Sequence, residues 1–317
     1  MASKAKVAVI AVGGNALISD SRHESIPDQS HAAEITAHHI ADIVASGWRV
    51  VVTHGSGPQI GFILRRSELA LDEVPPVPMD YAAADLQGAI GYMFQRALFN
   101  EFHKRHIEKR AIAVVTQVLV DRSDPAFQNP NKPIGSYMDS QTAQRRAKEL
   151  GWTVMEDAGR GWRRVVPSPR PKSIVDLKPI RDLLTAGYTV IGCGGGGIPV
   201  IEDHDGELSG LEAVIDKDYA SSLLAAELGA DMLIISTGVE KVAINFNQPG
   251  EKWLERISAS DARAYDQQGH FAEGSMAPKV RAIIEFVDGT GGTGLITDPP
   301  NIGRALAGHT GTHVVPS

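Results

Sequence analysis

Three short apolar runs in this chain each end in a glycine-rich loop. The loops are Ala11-Val12-Gly13-Gly14-Asn15-Ala16-Leu17, Thr53-His54-Gly55-Ser56-Gly57-Pro58-Gln59 and Gly192-Cys193-Gly194-Gly195-Gly196-Gly197. A strand that stops in glycines and feeds a helix leaves bare backbone N–H groups at a helix N-terminus, a setting that favours anions and phosphate above all. One such loop is weak evidence, because tight turns also need glycine. Three of them, with lysines gathered late in the chain, predict a site that holds several phosphoryl groups.

The surrounding pattern is an alternation. Val7–Val12, Val50–Val52, Ala113–Val120, Thr189–Ile191, Met232–Ile235 and Leu295–Thr297 are rich in Val and Ile and nearly continuous in apolar character, as strands covered on both faces are. Helical spacing is read over about 29–46, 83–107, 141–149, 174–186, 217–229 and 277–288. The βαβα order predicts an α/β fold, a three-layer αβα open and mainly parallel sheet. Ligands bind such sheets at the carboxyl ends of strands, where all three glycine loops are expected. Residues 121–171 break the rhythm with Pro125, Pro130, Pro133, Pro167, Pro169 and Pro171 and the basic group Arg160, Arg163, Arg164. They read as an insertion or small subdomain. A lobe boundary is expected near Ser209–Val214, after a polar surface hairpin or loop at Glu202–Glu207.

The 317 residues carry a net charge of −7, which argues against a general nucleic-acid binder. No apolar run approaches the roughly 20 residues of a membrane span, and Met1–Lys6 leads into a strand-like run with no signal-peptide character. The expectation is a soluble, cytoplasmic protein. Cys193 is the single cysteine. It reads as a small residue in a tight turn rather than a nucleophile, since no base stands beside it in sequence. The eleven histidines show no zinc spacing, so no protein metal cage is expected. The GxxxxGK[ST] loop and the HRD and DFG motifs of protein kinases are absent.

Asp216-Lys217-Asp218 is the sharpest short constellation. Two carboxylates beside one lysine favour its charged form and fix its direction, which suits a transferring phosphoryl group. Read alone, the triplet is equally a solvated charge cluster at a helix start. Lys279 follows helix-start signals in Ser275 and Pro278. A cation there opposes the helix dipole, so a nearby anion or plain surface exposure must explain it. Lys132 lies on a proline-stiffened segment, and read alone it is a surface residue.

Taken together, these segments resemble the carbamate kinases of the amino acid kinase family over nearly the whole chain. The resemblance is carried by Val12–Ala16, His54–Gln59, Gln87-Gly88, Gly91-Tyr92, Thr116-Gln117-Val118 and Asn129–Gly135. It continues through Glu156–Pro169, Gly194–Pro199, Glu212–Asp218 and Gly269–Lys279. It implies reversible phosphoryl transfer between ATP and carbamate, giving ADP and carbamoyl phosphate. In catabolic settings such as arginine catabolism the family runs towards ATP. It also implies a homodimer and Mg²⁺ arriving with the nucleotide, in keeping with magnesium's preference for phosphates and waters. The single unit 1–317 would divide into an N-lobe, 1–215, on the carbamate side and a C-lobe, 216–317, on the nucleotide side. A protruding subdomain would occupy about 121–171.

By the same resemblance Lys217 and Lys279 neutralise the phosphoryl groups. Asp218 orients them, with Asp216 beside it on the nucleotide side, and Lys132 reaches in from the subdomain. Gly13, Gly14, Asn15, Gly55, Ser56, Gly57, Gly195 and Gly196 cradle phosphate and substrate. Thr237, Gly238, Val239 and Met276 lie near the nucleotide. Two positions depart from the pattern. Ser56 replaces an Asn, and Asp85 stands where an apolar or small residue is expected. In the pocket, Asp85 would repel carbamate; facing solvent, it has no bearing. These departures leave open a related kinase with another small acid acceptor, and a non-catalytic nucleotide-binding regulator is the further alternative.

Overall fold

The computed structural model describes residues 5–14, 17–18, 22–156 and 161–317. An eight-stranded sheet forms the middle layer, built from β1 (Val7–Val12), β2 (Arg49–His54), β3 (Ala111–Ala113), β9 (Thr189–Ile191), β12 (Met232–Ser236), β15 (Arg256–Ser258), β16 (Thr293–Thr297) and β17 (Thr312–Val315). Their order is β15-β17-β16-β12-β1-β2-β9-β3, and only the β16–β17 pair is antiparallel. A second sheet joins β4 (Gln117–Val120), β8 (Pro171–Ile174), β10 (Ile198–Glu202) and β11 (Leu208–Gly210). The antiparallel strands β5 (Lys132–Met138), β6 (Thr153–Glu156) and β7 (Trp162–Val166) make a third, and β13 (Val242–Ile244) with β14 (Lys252–Leu254) a hairpin. The helices are α1 (Ile26–Ala45), α2 (Gly57–Leu69), α3 (Met79–Lys104), α4 (Ser140–Leu150), α5 (Leu177–Thr185), α6 (Lys217–Leu228), α7 (Ala259–Gln267), α8 (Met276–Thr290) and α9 (Ile302–Leu306).

Both faces of the large sheet are covered, which is why its strands are apolar without alternation. Side chains still alternate between the two faces. Val9 and Ala11 of β1 pack with Leu233 and Ile235 beneath α5, α6 and α8, against Ile180, Leu224 and Ile283. Ile10 and Val12 pack with Val50, Val52 and Ile234 against α1 and α3, through Ile40, Ile43, Phe94 and Leu98.

Several sequence expectations need correction. The run 113–120 is two strands in two sheets, because the chain bends at Thr116, whose hydroxyl donates to the Val114 carbonyl at 2.8 Å. The segment read as helical from 174 begins its helix at Leu177, after β8. The helices α2 and α7 were not expected: the first was absorbed into the glycine-loop reading, and the second is short and polar. The third glycine loop does not open an α-helix. It makes a short 3₁₀ turn at Gly194–Gly196 and runs straight into β10. The irregular stretch 121–171 holds the three-stranded sheet and α4, and Glu202–Glu207 is the turn of the β10–β11 hairpin.

One contact of the three-stranded sheet with α2 is made between two glycines. A Cβ on Gly61 of α2 would lie 2.6 Å from the Gly135 Cα of β5, so backbone rests on backbone. Gly61→Ala should therefore cost about 1–3 kcal/mol through overpacking, read from urea unfolding. An unchanged midpoint would mean that β5 gives way freely.

His54, the last residue of β2, is buried, stacks on Phe94 with ring centroids 6.2 Å apart, and lies against Gly194. Burial pushes its imidazole down to about 4; a contact with the Gly55 carbonyl opposes the drop and Lys217 adds to it. A lowered histidine pKa makes the folded state refuse a proton that the unfolded chain accepts below about 6.5. Stability should thus fall by roughly 3 kcal/mol as pH drops from about 6.5 to about 4. His54→Gln should remove that part of the slope in urea titrations, and equal slopes in both proteins would exclude His54 as its source.

Candidate active site

The carboxyl ends of β1, β2 and β9 bring the three glycine loops together. A Cβ on Gly55 would fall 2.7 Å from the Gly14 nitrogen and 3.3 Å from the Lys217 Cδ. Only glycine lets the first two loops touch with Lys217 laid along them. Gly57 and Pro58 open α2, so its first-turn N–H groups face this junction beside Gly14. Ser56, just before α2, is buried, and among the described residues its hydroxyl makes no capping hydrogen bond. Across from that hydroxyl lies Gly195, where a Cβ would come within 2.5 Å of the Ser56 Oγ. Gly196 packs on the Ile215 carbonyl. The third loop is held from α3 by Gln87. Its amide donates to the Thr116 and Gly194 carbonyls at 3.0 and 3.1 Å and accepts from the Thr116 N–H at 2.6 Å.

α6 starts at Lys217, with Asp216 as its N-cap accepting from the Asp218 N–H at 2.9 Å. The bond between the Thr53 and Ser221 hydroxyls, at 2.6 Å, fixes this helix against the end of β2. Asp218 is 3% exposed, which rules out a solvated charge cluster. One of its carboxylate oxygens pairs with the Lys217 ammonium, and the other accepts from Lys279 of α8 at 3.1 Å. This is the anion that offsets a cation in the first turns of α8. Lys132, the first residue of β5, reaches Asp216 at 2.7 Å. Burial works to raise the Asp216 carboxyl, but Lys132, the Asp218 N–H and Lys217 together hold it down at about 2.

A cavity of about 860 Å³ adjoins this cluster. It is lined by Gly13, Gly14, Lys217, Thr237, Gly238, Val239, Met276 and Lys279 among the expected residues. Asp216, Asp218, Lys132 and the second and third loops stand beside it rather than in its wall. Asn15 and the segment Asp157–Arg160 lie outside the described residues. Sequence reasoning missed the far wall: Phe246 and Trp253, edge to face at 6.0 Å on the β13–β14 hairpin, with Lys241, Asn245, Gln268 and His270. An exposed Trp and Phe bracketing an Asn- and Gly-rich turn was the available signal. Asp85 is exposed on α3 and does not enter the cavity. Cys193 is buried, and burial pushes its thiol well above its ordinary value, so it is no nucleophile.

An anion here would meet backbone N–H groups on one side and two fixed ammoniums on the other, with room beside them for a planar ring. The amino acid kinase family profile matches residues 6–298. Carbamate kinase of Thermococcus kodakarensis is 49% identical over 98% of this chain and 99% of its own length. That of Clostridium perfringens is 45% identical over 97% and 99%. The solved carbamate kinase of Giardia lamblia bound to AMP-PNP aligns over 99% of this chain and 100% of that one, with TM-score 0.93 and 42% identity. The chain belongs to the amino acid kinase family, in its carbamate kinase branch.

Proposed function

We propose that this protein transfers a phosphoryl group reversibly between ATP and carbamate, forming ADP and carbamoyl phosphate. The observation that carries this reading is Asp218, one buried carboxylate aiming two lysines at the junction between the glycine loops and the large cavity. The full-length likeness to carbamate kinases supports it.

In the direction of ATP, a β-phosphate oxygen of ADP attacks the phosphorus of carbamoyl phosphate. The P–O bond to the carbamate oxygen breaks, and carbamate leaves with the electron pair. The attacking oxygen is already anionic, so the step needs charge stabilisation and alignment more than a general base. Lys217 and Lys279 neutralise the equatorial oxygens, and N–H groups at Gly13, Gly14, Gly55 and Gly57 hold the phosphates. Gly195 and Gly196 shape the floor, and the Ser56 hydroxyl supplies a donor where related sequences use an amide. Lys132 closes over the carbamoyl end. Thr237, Gly238, Val239 and Met276 border the nucleoside, with Asp216 at the edge.

Both aspartates are committed to lysines, and among the described residues no three His, Cys, Asp or Glu gather as a metal cage. Mg²⁺ fits this site as the ion of the nucleotide, where it supplies charge neutralisation on the phosphates. The proposal extends to a homodimer acting in the cytoplasm, in the ATP-forming direction of arginine catabolism. The single buried cysteine agrees with a reducing compartment. Among the described residues no helix is long and apolar enough to cross a membrane.

The test is ATP formation from Mg²⁺, ADP and carbamoyl phosphate. Lys217→Ala should lower kcat by ~10²-fold or more with the fold retained, and near-normal turnover would remove Lys217 from the mechanism. Lys132→Ala should act chiefly on the KM for carbamoyl phosphate. Unchanged kinetics in that variant would make the three-stranded sheet a bystander.

A further inference from the structure

A second cavity, of about 350 Å³, lies where α2 meets the three-stranded sheet and α4. None of the glycine-loop residues and none of Lys132, Lys217 or Lys279 lines it. Its wall carries four guanidiniums, Arg65, Arg145, Arg146 and Arg164, against two carboxylates, Glu68 and Asp139. Asp139 is committed to capping α4, accepting from the Thr142 N–H at 2.7 Å and the Thr142 hydroxyl at 3.1 Å. Glu68 is shared between Arg65 at 3.0 Å and Arg146 at 3.9 Å. Arg164 reaches Glu212 only at 3.5 Å, and the other oxygen of Glu212 accepts from the Met79 N–H. Arg145 makes no ion pair among the described residues.

The excess charge is also held in place. The guanidiniums of Arg146 and Arg164 lie over the Trp152 ring, 5.7 and 4.9 Å from its centroid. Stacking on one indole removes much of the freedom that a long side chain would lose on binding. Their side chains are only 19% and 21% exposed. Burial holds Arg164 below its ordinary value despite the carboxylates near it, the mark of a cation short of counter-charge. Planar guanidiniums fixed beside a cavity match the oxygens of phosphate and carboxylate groups.

We propose that this cavity binds a small anionic metabolite, bearing phosphate or more than one carboxylate, through Arg145, Arg146 and Arg164. The volume suits a compact ligand rather than a nucleotide. Such a ligand would bridge α2 to the sheet that carries Lys132, and so bear on how that lysine is presented to the catalytic cleft.

Isothermal titration at physiological ionic strength tests the site. AMP-PNP is added first to saturate the nucleotide cavity, so that a failure of the nucleotide reading appears on its own as absent heat. Pyrophosphate and propane-1,2,3-tricarboxylate are then titrated separately. The expected result is one further anion bound per chain, with affinity weakened at least about tenfold in Arg145→Glu and in Arg164→Met, the loss of one charge-assisted bond. Arg145 is exposed and makes no ion pair among the described residues, so its variant tests the site even if Arg164→Met folds poorly. Preference for one anion identifies the ligand's acidic group. Absence of binding by both anions, or unchanged affinity in Arg145→Glu, overturns the proposal.

Discussion

Asp218 has two carboxylate oxygens and gives each to a different lysine, one at the start of α6 and one from α8. A carboxylate buried to 3% exposure is costly unless it is paired and hydrogen-bonded, and the position of Asp218 in the first turn of α6 adds the favourable end of the helix dipole. Two ammoniums on one carboxylate leave a net positive charge facing the cavity. Without Asp218 the lysines would repel one another and lose their direction. With it they are aimed before any ligand arrives, and in the proposed reaction the ligand's phosphates would complete the neutralisation. Preorganised charge of this kind lowers a phosphoryl-transfer barrier because nothing need rearrange as the reaction proceeds.

The sheet puts the other half of the site within reach. β1 and β2 run parallel and adjacent, so their glycine loops emerge side by side, and Gly55 can press on Gly14. The Thr53–Ser221 bond ties the same strand end to α6, which fixes the distance between the N–H groups and the lysines. Gln87 and His54 then set the third loop, the first by hydrogen bonds and the second by packing. His54 can play this part because it stays neutral near neutral pH. A charged imidazole there would face Lys217 in a dry environment.

Local signals carried much of this. The glycine loops, the apolar strands and the Asp216-Lys217-Asp218 triplet were readable because each is a short motif whose physics lies within a few residues. The reach of Lys132 was signalled only by the resemblance, since its bond to Asp216 spans 84 residues of sequence. The division of 113–120 between two sheets was hidden for a similar reason. Only Thr116-Gln117 interrupts the apolar run, and the clamp of Gln87 on Thr116 holds the bend there. α2 was obscured by its start inside a glycine loop, at Gly57-Pro58, which reads as a turn. The cavity wall formed by Phe246 and Trp253 carried no motif at all, only two exposed aromatics on a hairpin.

The three lysines are not equivalent, and burial separates them. The Lys217 side chain is 11% exposed and the Asp218 side chain 4%, so that pair is screened little by water and stays together. Lys132 is 36% exposed, and its pair with Asp216 sits at the water's edge, where such contacts are worth of the order of 1 kcal/mol or less. Asp216 keeps its place if Lys132 departs, because its other oxygen still caps α6. A phosphoryl group carrying more charge than one carboxylate can therefore draw Lys132 away from Asp216 without disturbing the helix. Asp216 stays ionised well below neutral pH, so this exchange is governed by the substrate's charge and not by a proton. In the proposed reaction Lys217 and Lys279 would be the fixed part of the site, and Lys132 the part that substrate recruits.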